Sequence, residues 1–441
     1  MSQEEAPSLL QHPEAQALLD DATLTAAAVR HCQQHLTQFL QRYLPRFYRK
    51  EQGILAAVVL QGRLSGLERK TSEPIAYQAH RPRKPVQHFV GAGLWDDEAV
   101  MAELRRHVAE ELGHPDAVLV FDGSGFPKKG TESCGVTRQW CGRLGKIDNC
   151  QVGVFAIYAA PGGHAPLDRC LYLPADWAAD RKHRRKKTHV PEAVVYREKW
   201  RIALDLLDRS GPDVPHAWVS ADDEFGRATE FRAELRRRRE GYVLDVPANT
   251  SVREVAPRPG GGRPPFEPAA AWAARQPASR WKTITIRSGE QGPLKVRAVK
   301  RRVQTKDEDG RVGPAETLVV IRSLGAEPRT WYTLSNAGRN ERLPVLVGVH
   351  SERHRVEEVL QEGKGEVGLG QYEVRSWVGW HHHMTLSLLA LWFLTLERRR
   401  LGGKNPCLDG GAAPAGVQPA AARPGARSGP NRGRGQPRAA A

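Results

Sequence analysis

The sequence predicts a mixed α/β fold in which a small helical domain precedes a sheet-based core. Three observations lead there. Residues 25–48 carry Val29, Cys32, Leu36, Phe39, Leu40, Tyr43, Leu44 and Phe47 at helical spacing. From residue 115 the pattern changes to short apolar runs, at 117–121, 150–160 and 168–174, which read as strands. At 441 residues the chain has room for two or three domains with proper cores.

A second apolar helix is expected around 53–62. A third starts at Asp96, a good N-cap, and places Val100, Leu104, Val108 and Leu112 on one face. The stretches between them, ERKTSEP and HRPRKP, read as basic, irregular connections. After the first three strands, residues 191–208 read as a helix with Val195, Trp200, Ile202, Leu206 and Leu207 apolar. A strand at 216–221, a charged helix near 227–240 and a strand at 242–246 follow. Three sequential strands, then helix, strand, helix, strand, is the element order of a ribonuclease H-like sheet. Residues 248–345 open on a Pro/Gly-rich stretch and hold the alternating runs TITI, KVRAVKRRV and TLVVIRS, so a β-rich insertion is expected there. Helix returns near 346 and continues, with breaks, to 398. The expected organisation is a helical domain over 1–112, a catalytic core over 113–247 and 346–401, and the insertion over 248–345 between its two parts. The segment 402–441 has one Leu, one Val and no aromatic residue, and is expected to be disordered.

Charge narrows the function. Lys and Arg number 66 against 50 Asp and Glu, a net charge of +16 spread along the whole chain. That favours a polyanionic partner, nucleic acid before membrane, over mere charge for solubility. Runs at 181–187 (RKHRRKK), 236–239 (RRRR) and 295–302 (KVRAVKRR) are candidate backbone contacts, although each alone suits a solvated face. The six cysteines lack paired CxxC spacing and no signal peptide stands out, which fits a reduced, cytoplasmic protein. Cys134, Cys141 and Cys150 match no common zinc module and read as small core or loop residues. The run Met384–Leu396 is too short to span a bilayer and suits a buried helix. His381, His382 and His383 before it read as a polar helix face. No phosphate-binding P-loop is present, which argues against an ATP-driven helper.

The chemistry sits in three stretches. In FDGSGFPKKG, Asp122 follows an apolar run, small residues come next, and Lys128 and Lys129 arrive together. Asp-Gly is also a strong turn signal. In VSADDEFG a short strand leads into Asp222 and Asp223, and Gly226 turns the chain into the next helix. Acids at the ends of neighbouring parallel strands converge and can share divalent cations. In HSERHRVEEVLQEGK, His350, Arg353, Glu357 and Lys364 are spaced 3, 4 and 7, which puts all four on one helical face. Val356, Val359 and Leu360 lie on an adjoining face. Taken alone, Arg353 and Glu357 suit a surface pair contributing about 0.3–0.5 kcal/mol.

With these residues placed, the chain resembles the DDE transposases of bacterial insertion sequences, in the group with a β-rich insertion before the catalytic glutamate. That group's signature, Y-x-x-R-x-x-x-E-x-x-x-x-x-x-K, is matched over 350–364 at R, E and K, with His350 in place of Tyr. The segments FDGSGFPKKGTESCGVTRQWCGRLGKIDNCQVGV, VSADDEFG and GLGQYEVRSWVGWHHHMTL are also similar to the family's, with Phe225 where Tyr is usual. The likeness covers about 20–398 and not the tail. It implies a catalytic, metal-holding triad of Asp122, Asp222 and Glu357, choosing Asp222 over Asp223. The triad would hold two Mg²⁺ ions roughly 3.5–4 Å apart, with Mn²⁺ able to substitute. Arg353, Lys364 and His350 would contact phosphates, and Lys128 and Lys129 would neutralise others. The implied partner is double-stranded DNA, both inverted-repeat ends and target, bound by a homodimer on paired ends in a nucleoid-associated, non-membrane setting. The implied activity is cleavage at the ends and strand transfer to the target. A catalytically silent DNA-binding derivative and a ribonuclease H-like nuclease without strand transfer are the alternatives. Trp331, in RTWYTLSN, reads as strand core by alternation; the resemblance would instead have it stack on a flipped base at a DNA hairpin.

Overall fold

Strand β1 (Val118–Pro127) organises the layout of the chain. The computed structural model describes residues 26–401, apart from 256–261, 290, 291, 308 and 326. The expected disordered tail lies outside these described residues. Along its whole length β1 pairs antiparallel with β3 (Lys146–Ala160), from Val118↔Ala159 to Pro127↔Cys150. On its other edge it pairs parallel with β5 (Trp218–Ala221), but only from Val118 to Phe121. β5 in turn pairs parallel with β6 (Gly241–Asp245). The long β3 also carries β2 (Thr137–Cys141) and β4 (Gly163–Leu171). The expected strands are present, and β2 is an addition to them.

The sheet does not stop at β6. β12 (Thr330–Ser335) pairs antiparallel with it, followed in order by β11 (Val312–Ser323), β10 (Gly292–Lys306), β7 (Ser251–Glu254) and β8 (Glu267–Pro268). β9 (Lys282–Gly289) folds back on β10. The strands of 248–345 therefore extend the central sheet, and they enclose a small core of their own around Trp272, Val299, Val303, Leu318 and Leu334. The result is a mixed α/β chain built on one large mixed sheet.

The helices before the sheet are α1 (Ala26–Tyr43), α2 (Lys50–Arg63), α3 (Ser72–Gln78), α4 (Arg83–Gly91) and α5 (Asp97–Leu112). Asp96 caps α5 as expected, accepting from the amides of Glu98 and Ala99, a device that contributes about 1 kcal/mol. α3 and α4 correct the reading of ERKTSEP and HRPRKP as irregular. Pro74 and Pro85 fall in the first turn, where the amide has no helical partner, so they open helices instead of breaking them. A second correction concerns 191–208, where helix α6 (Lys199–Ser210) begins only at Lys199. The preceding stretch is open, and Val195 is 49% exposed; the β-branched pair Val194–Val195 is a poor helix start. The charged helix is α7 (Thr229–Arg237).

Two long helices close the fold. α8 (Leu343–Glu366) packs against β1, β5, β6 and β9. α9 (Trp377–Arg400) is apolar on every face and buried through most of its length. Phe39 of α1 meets Phe393 of α9, with ring centroids 5.3 Å apart, and one buried cluster runs from α1 through β1 and β3 to α9. Among the described residues no helix is long and apolar enough to cross a membrane. The histidine triplet is not an outward polar face: all three rings are buried. One nitrogen of each ring meets a backbone carbonyl, His381 that of Trp377, His382 that of Trp95 and His383 that of Leu369. Burial holds His381 down to about 4 and the other two below the usual range, so the rings are neutral structural donors at pH 7. Cys134, Cys141 and Cys150 are buried free thiols, as core residues would be.

Candidate active site

β1 is held on both edges up to Phe121 and on one edge after it. Asp122 is the first residue past that fork. It is therefore neither at the end of a strand nor in a turn, because β3 is long enough to keep residues 122–127 extended. Asp222 follows Ala221, the register partner of Phe121 on β5. The two acids thus leave equivalent points on parallel neighbours, and both line one cleft. Asp222 also caps the one-turn helix Asp223–Gly226, accepting from the amides of Glu224 at 3.0 Å and Phe225 at 3.4 Å. That turn lies flat on β6: a Cβ on Gly226 would stand 1.9 Å from the Asp245 carbonyl oxygen, so only glycine fits. Asp223 is exposed and pairs with Arg227 instead.

α8 lays the remaining predicted residues beside the pair. Arg353, Glu357 and Lys364 line the same cleft, whereas Glu358 lines the next groove. Glu357 is mostly exposed, its side chain 60% accessible, and its Oε1 lies 3.6 Å from an Arg353 terminal nitrogen. Lys364 Nζ donates to Ser124 Oγ at 2.7 Å and sits over the Phe126 ring. Burial, and then Arg143, lower its pKa.

Four predicted contacts take other positions. His350 is 3% exposed, and its Nδ1 is 2.9 Å from Asp245 Oδ1. It lines the neighbouring groove with little open surface, its Nδ1 committed to Asp245 and not to the cleft of the two aspartates. Lys128 donates to the Tyr372 carbonyl at 3.2 Å and stands 3.3 Å over that ring; burial lowers it to about 8. The fold therefore uses Lys128 as a tie, while its neighbour Lys129 is exposed outside the cleft lining. Trp331 is half-buried and lines the groove next to the cleft, near the rings of His350 at 5.8 Å and His354 at 5.7 Å.

Sequence reading missed Asp245, at the end of β6. Its Oδ2 lies 2.8 Å from Arg353 Nε, close enough for an ion pair though without hydrogen-bond alignment. Its other oxygen faces His350, so it fixes two residues of α8 at once. The signal was available: an acid closing a strand in YVLDV, the same cue that singled out Asp222. Trp140 and Arg143, at the mouth of the cleft, were missed as well.

The electrostatics of the pair suit a cation. Burial, then the charge of Asp222, push the Asp122 carboxyl up to about 7, with Arg353 pulling the other way. Burial, then Glu224, push Asp222 up to about 6. The two titrate as a unit that resists holding full negative charge without a counter-ion. The donors are all oxygen, two on paired strands and a third on an exposed side chain, which fits a hard divalent ion. Among the described residues, no three acids, histidines or cysteines already converge on one point. Glu357 would have to turn inward from Arg353 to complete such a site.

Comparison with known proteins places these features. Residues 42–293 match the model of the DDE superfamily endonucleases, more than half of the chain; the match includes Asp122 and Asp222 and ends before α8. A probable transposase for insertion sequence element IS701 from Microchaete diplosiphon is 32% identical over 200 residues, covering 45% of this chain and 49% of the relative. The chain thus spans about half the length of that curated relative. The NurA nuclease from Sulfolobus solfataricus aligns with 61% of this chain and 92% of its own at 8% identity, but a TM-score of 0.22 carries no argument.

Proposed function

The chain belongs to the DDE superfamily of endonucleases, and from that premise we propose that it is the transposase of an insertion sequence, with Asp122, Asp222 and Glu357 as its catalytic acids. One observation carries the assignment of residues: Asp122 and Asp222 leave register-paired positions on parallel strands into a cleft that Glu357 also lines. The core would be ribonuclease H-like, with 248–345 as its insertion and the helices before residue 113 as the DNA-reading domain.

The three acids would hold divalent cations, Mg²⁺ or Mn²⁺, which when bound supply Lewis-acid stabilisation and lower the pKa of an attacking hydroxyl. The protein's own groups do the rest. Lys364, tied to Ser124, presents a positive charge beside Asp122 where a scissile phosphate would lie. Arg353 holds Glu357 at the cleft edge until the acid turns inward, and Asp245 keeps Arg353 in place. Gly123 keeps the cleft floor low, since a Cβ there would stand 3.8 Å or more from its neighbours, whereas the space beside Gly125 is filled by the Cys141 thiol. Trp331, half-buried and open to the neighbouring groove, is positioned to stack on a base drawn out of the duplex. Strand transfer, a hairpin intermediate and action as a homodimer on paired ends belong to the same reading.

The test is cleavage by the purified full chain of duplexes carrying the element's terminal sequences, with Mg²⁺ or Mn²⁺. End-specific nicking followed by joining to target DNA is expected. End binding without cleavage by folded protein would favour the silent derivative. Cleavage without end preference or joining would favour a plain nuclease.

A further inference from the structure

The β2–β3 hairpin projects an aromatic side chain that nothing in the fold uses. Trp140 is 60% exposed although it lines the cleft of Asp122, Asp222 and Glu357. Its register partner Ile147 is also 60% exposed, and Leu144 in the turn is 41% exposed. Among the described residues no ring or cation stacks on Trp140. The hairpin is nevertheless rigidly placed, because β2 pairs with β3 from Thr137↔Cys150 to Cys141↔Lys146 and β3 pairs with the strand that carries Asp122. Arg143, in the turn, is exposed, lines the same cleft, and is close enough to Lys364 to disfavour its protonation. Among the described residues no carboxylate pairs with it. A wide, flat, unpartnered ring beside two cations at the mouth of an acidic cleft fits one kind of occupant: a nucleobase with its phosphate.

Building on the transposase reading, we propose that Trp140 stacks on an unpaired base of the DNA strand next to the scissile phosphate, with Arg143 on that nucleotide's phosphate. The cleft of Trp140 and the groove of Trp331 share Glu357 and Gln361 on α8. The two tryptophans therefore flank the third acid, and the strand crossing α8 is gripped by a ring on each side. The hairpin makes this grip selective for DNA already melted at the cleavage point, since a paired base cannot offer its face.

The experiment uses end-DNA duplexes with 2-aminopurine placed singly on each side of the scissile phosphate. Wild-type protein should change the fluorescence at one position, and Trp140→Ala should abolish that change while Trp140→Phe keeps it. Cleavage by Trp140→Ala should slow roughly 5- to 150-fold, the range one base–aromatic stack contributes. An abasic site at the same position should remove the difference between wild type and variant. Because the residue is exposed, melting temperature should not move. Equal fluorescence and cleavage for wild type and Trp140→Ala would overturn this proposal and leave the transposase reading intact. Loss of a dimer in sedimentation of Trp140→Ala, without loss of the base signal, would assign the patch to a second copy of the chain instead. Failure of the wild type to bind or cut end DNA would take down both readings.

Discussion

Asp122 and Asp222 stand on strands that pair with each other, whereas Glu357 stands on the exposed face of a helix packed against those strands. The first two are half-buried and electrostatically strained, their proton affinity raised by burial and by neighbouring acids. The third is largely in water and rests near Arg353. A sheet can fix carboxylates within the spacing of adjacent strands. It offers a third in Asp245, which follows the register partner of Ala221 on β6. That acid is committed to Arg353 and His350, so a third free acid must come from elsewhere. That one has to be delivered from above, and the delivering helix needs an anchor of its own, which is Asp245. In the proposed site the fixed pair would set where a cation sits, and the glutamate would set when the site is complete.

The largest effects should come from removing the acids themselves. Asp122→Ala, Asp222→Ala and Glu357→Ala are each expected to lower metal-dependent cleavage about a thousandfold or more while sparing DNA binding. Titration with Mn²⁺ should separate them: the Asp variants lose high-affinity binding, and Glu357→Ala only weakens it. Equal loss in all three would erase the distinction drawn above.

A smaller loss is expected at the anchor. Asp245→Asn should slow cleavage roughly 10- to 100-fold at saturating DNA, because Arg353 and His350 lose their fixed partner and α8 shifts by a fraction of its tolerance. A lower melting temperature with unchanged turnover per folded molecule would make Asp245 a folding residue only.

The pair should also leave a signature in stability. Its folded pKa values lie above the unfolded value of 3.8. The folded state therefore takes up protons, and the pair's contribution is fully present below about pH 3.8 and is lost progressively as pH rises from there through about 6 to 7. Asp122→Asn should melt a few degrees higher than wild type at pH 8, by a smaller margin at pH 5, and at nearly the same temperature near pH 3.8. Added Mn²⁺ at pH 8 should raise the wild type and not the variant.

The mildest test compares neighbours. Lys129→Ala should reduce the slope of log affinity against log salt by about one without moving the melting temperature. Lys128→Ala should lower the melting temperature and leave the slope alone, since its charge is committed to Tyr372.

Much of this arrangement was legible in the sequence, and the limits have physical causes. Apolar periodicity located α1, α2 and α5, and continuous apolar runs located the central strands, which are buried on both faces. It missed α3 and α4, where prolines at the first turn imitate breaks, and β2, whose exposed Trp140 hides the alternation. Spacing on α8 placed Arg353, Glu357 and Lys364 on one face, a local property. Asp245 and the burial of His350 depend on a contact across 105 residues, which no local pattern encodes. Lys128 and Lys129 look identical in sequence; only the packing of Tyr372 tells them apart.

Past Phe121, β1 keeps one edge unpaired on the β5 side. An open strand edge is a template on which another chain can add its own strand, so the gap proposed to take a DNA backbone is also an opening to aggregation. The chain guards it with three modest devices. The stretch is short, it ends on Pro127, which has no amide to offer a newcomer, and Lys364 reaches down from α8 to place a charge beside it. Each substitution that clears this edge, Lys364→Ala above all, would make the protein easier to precipitate as well as slower to cut.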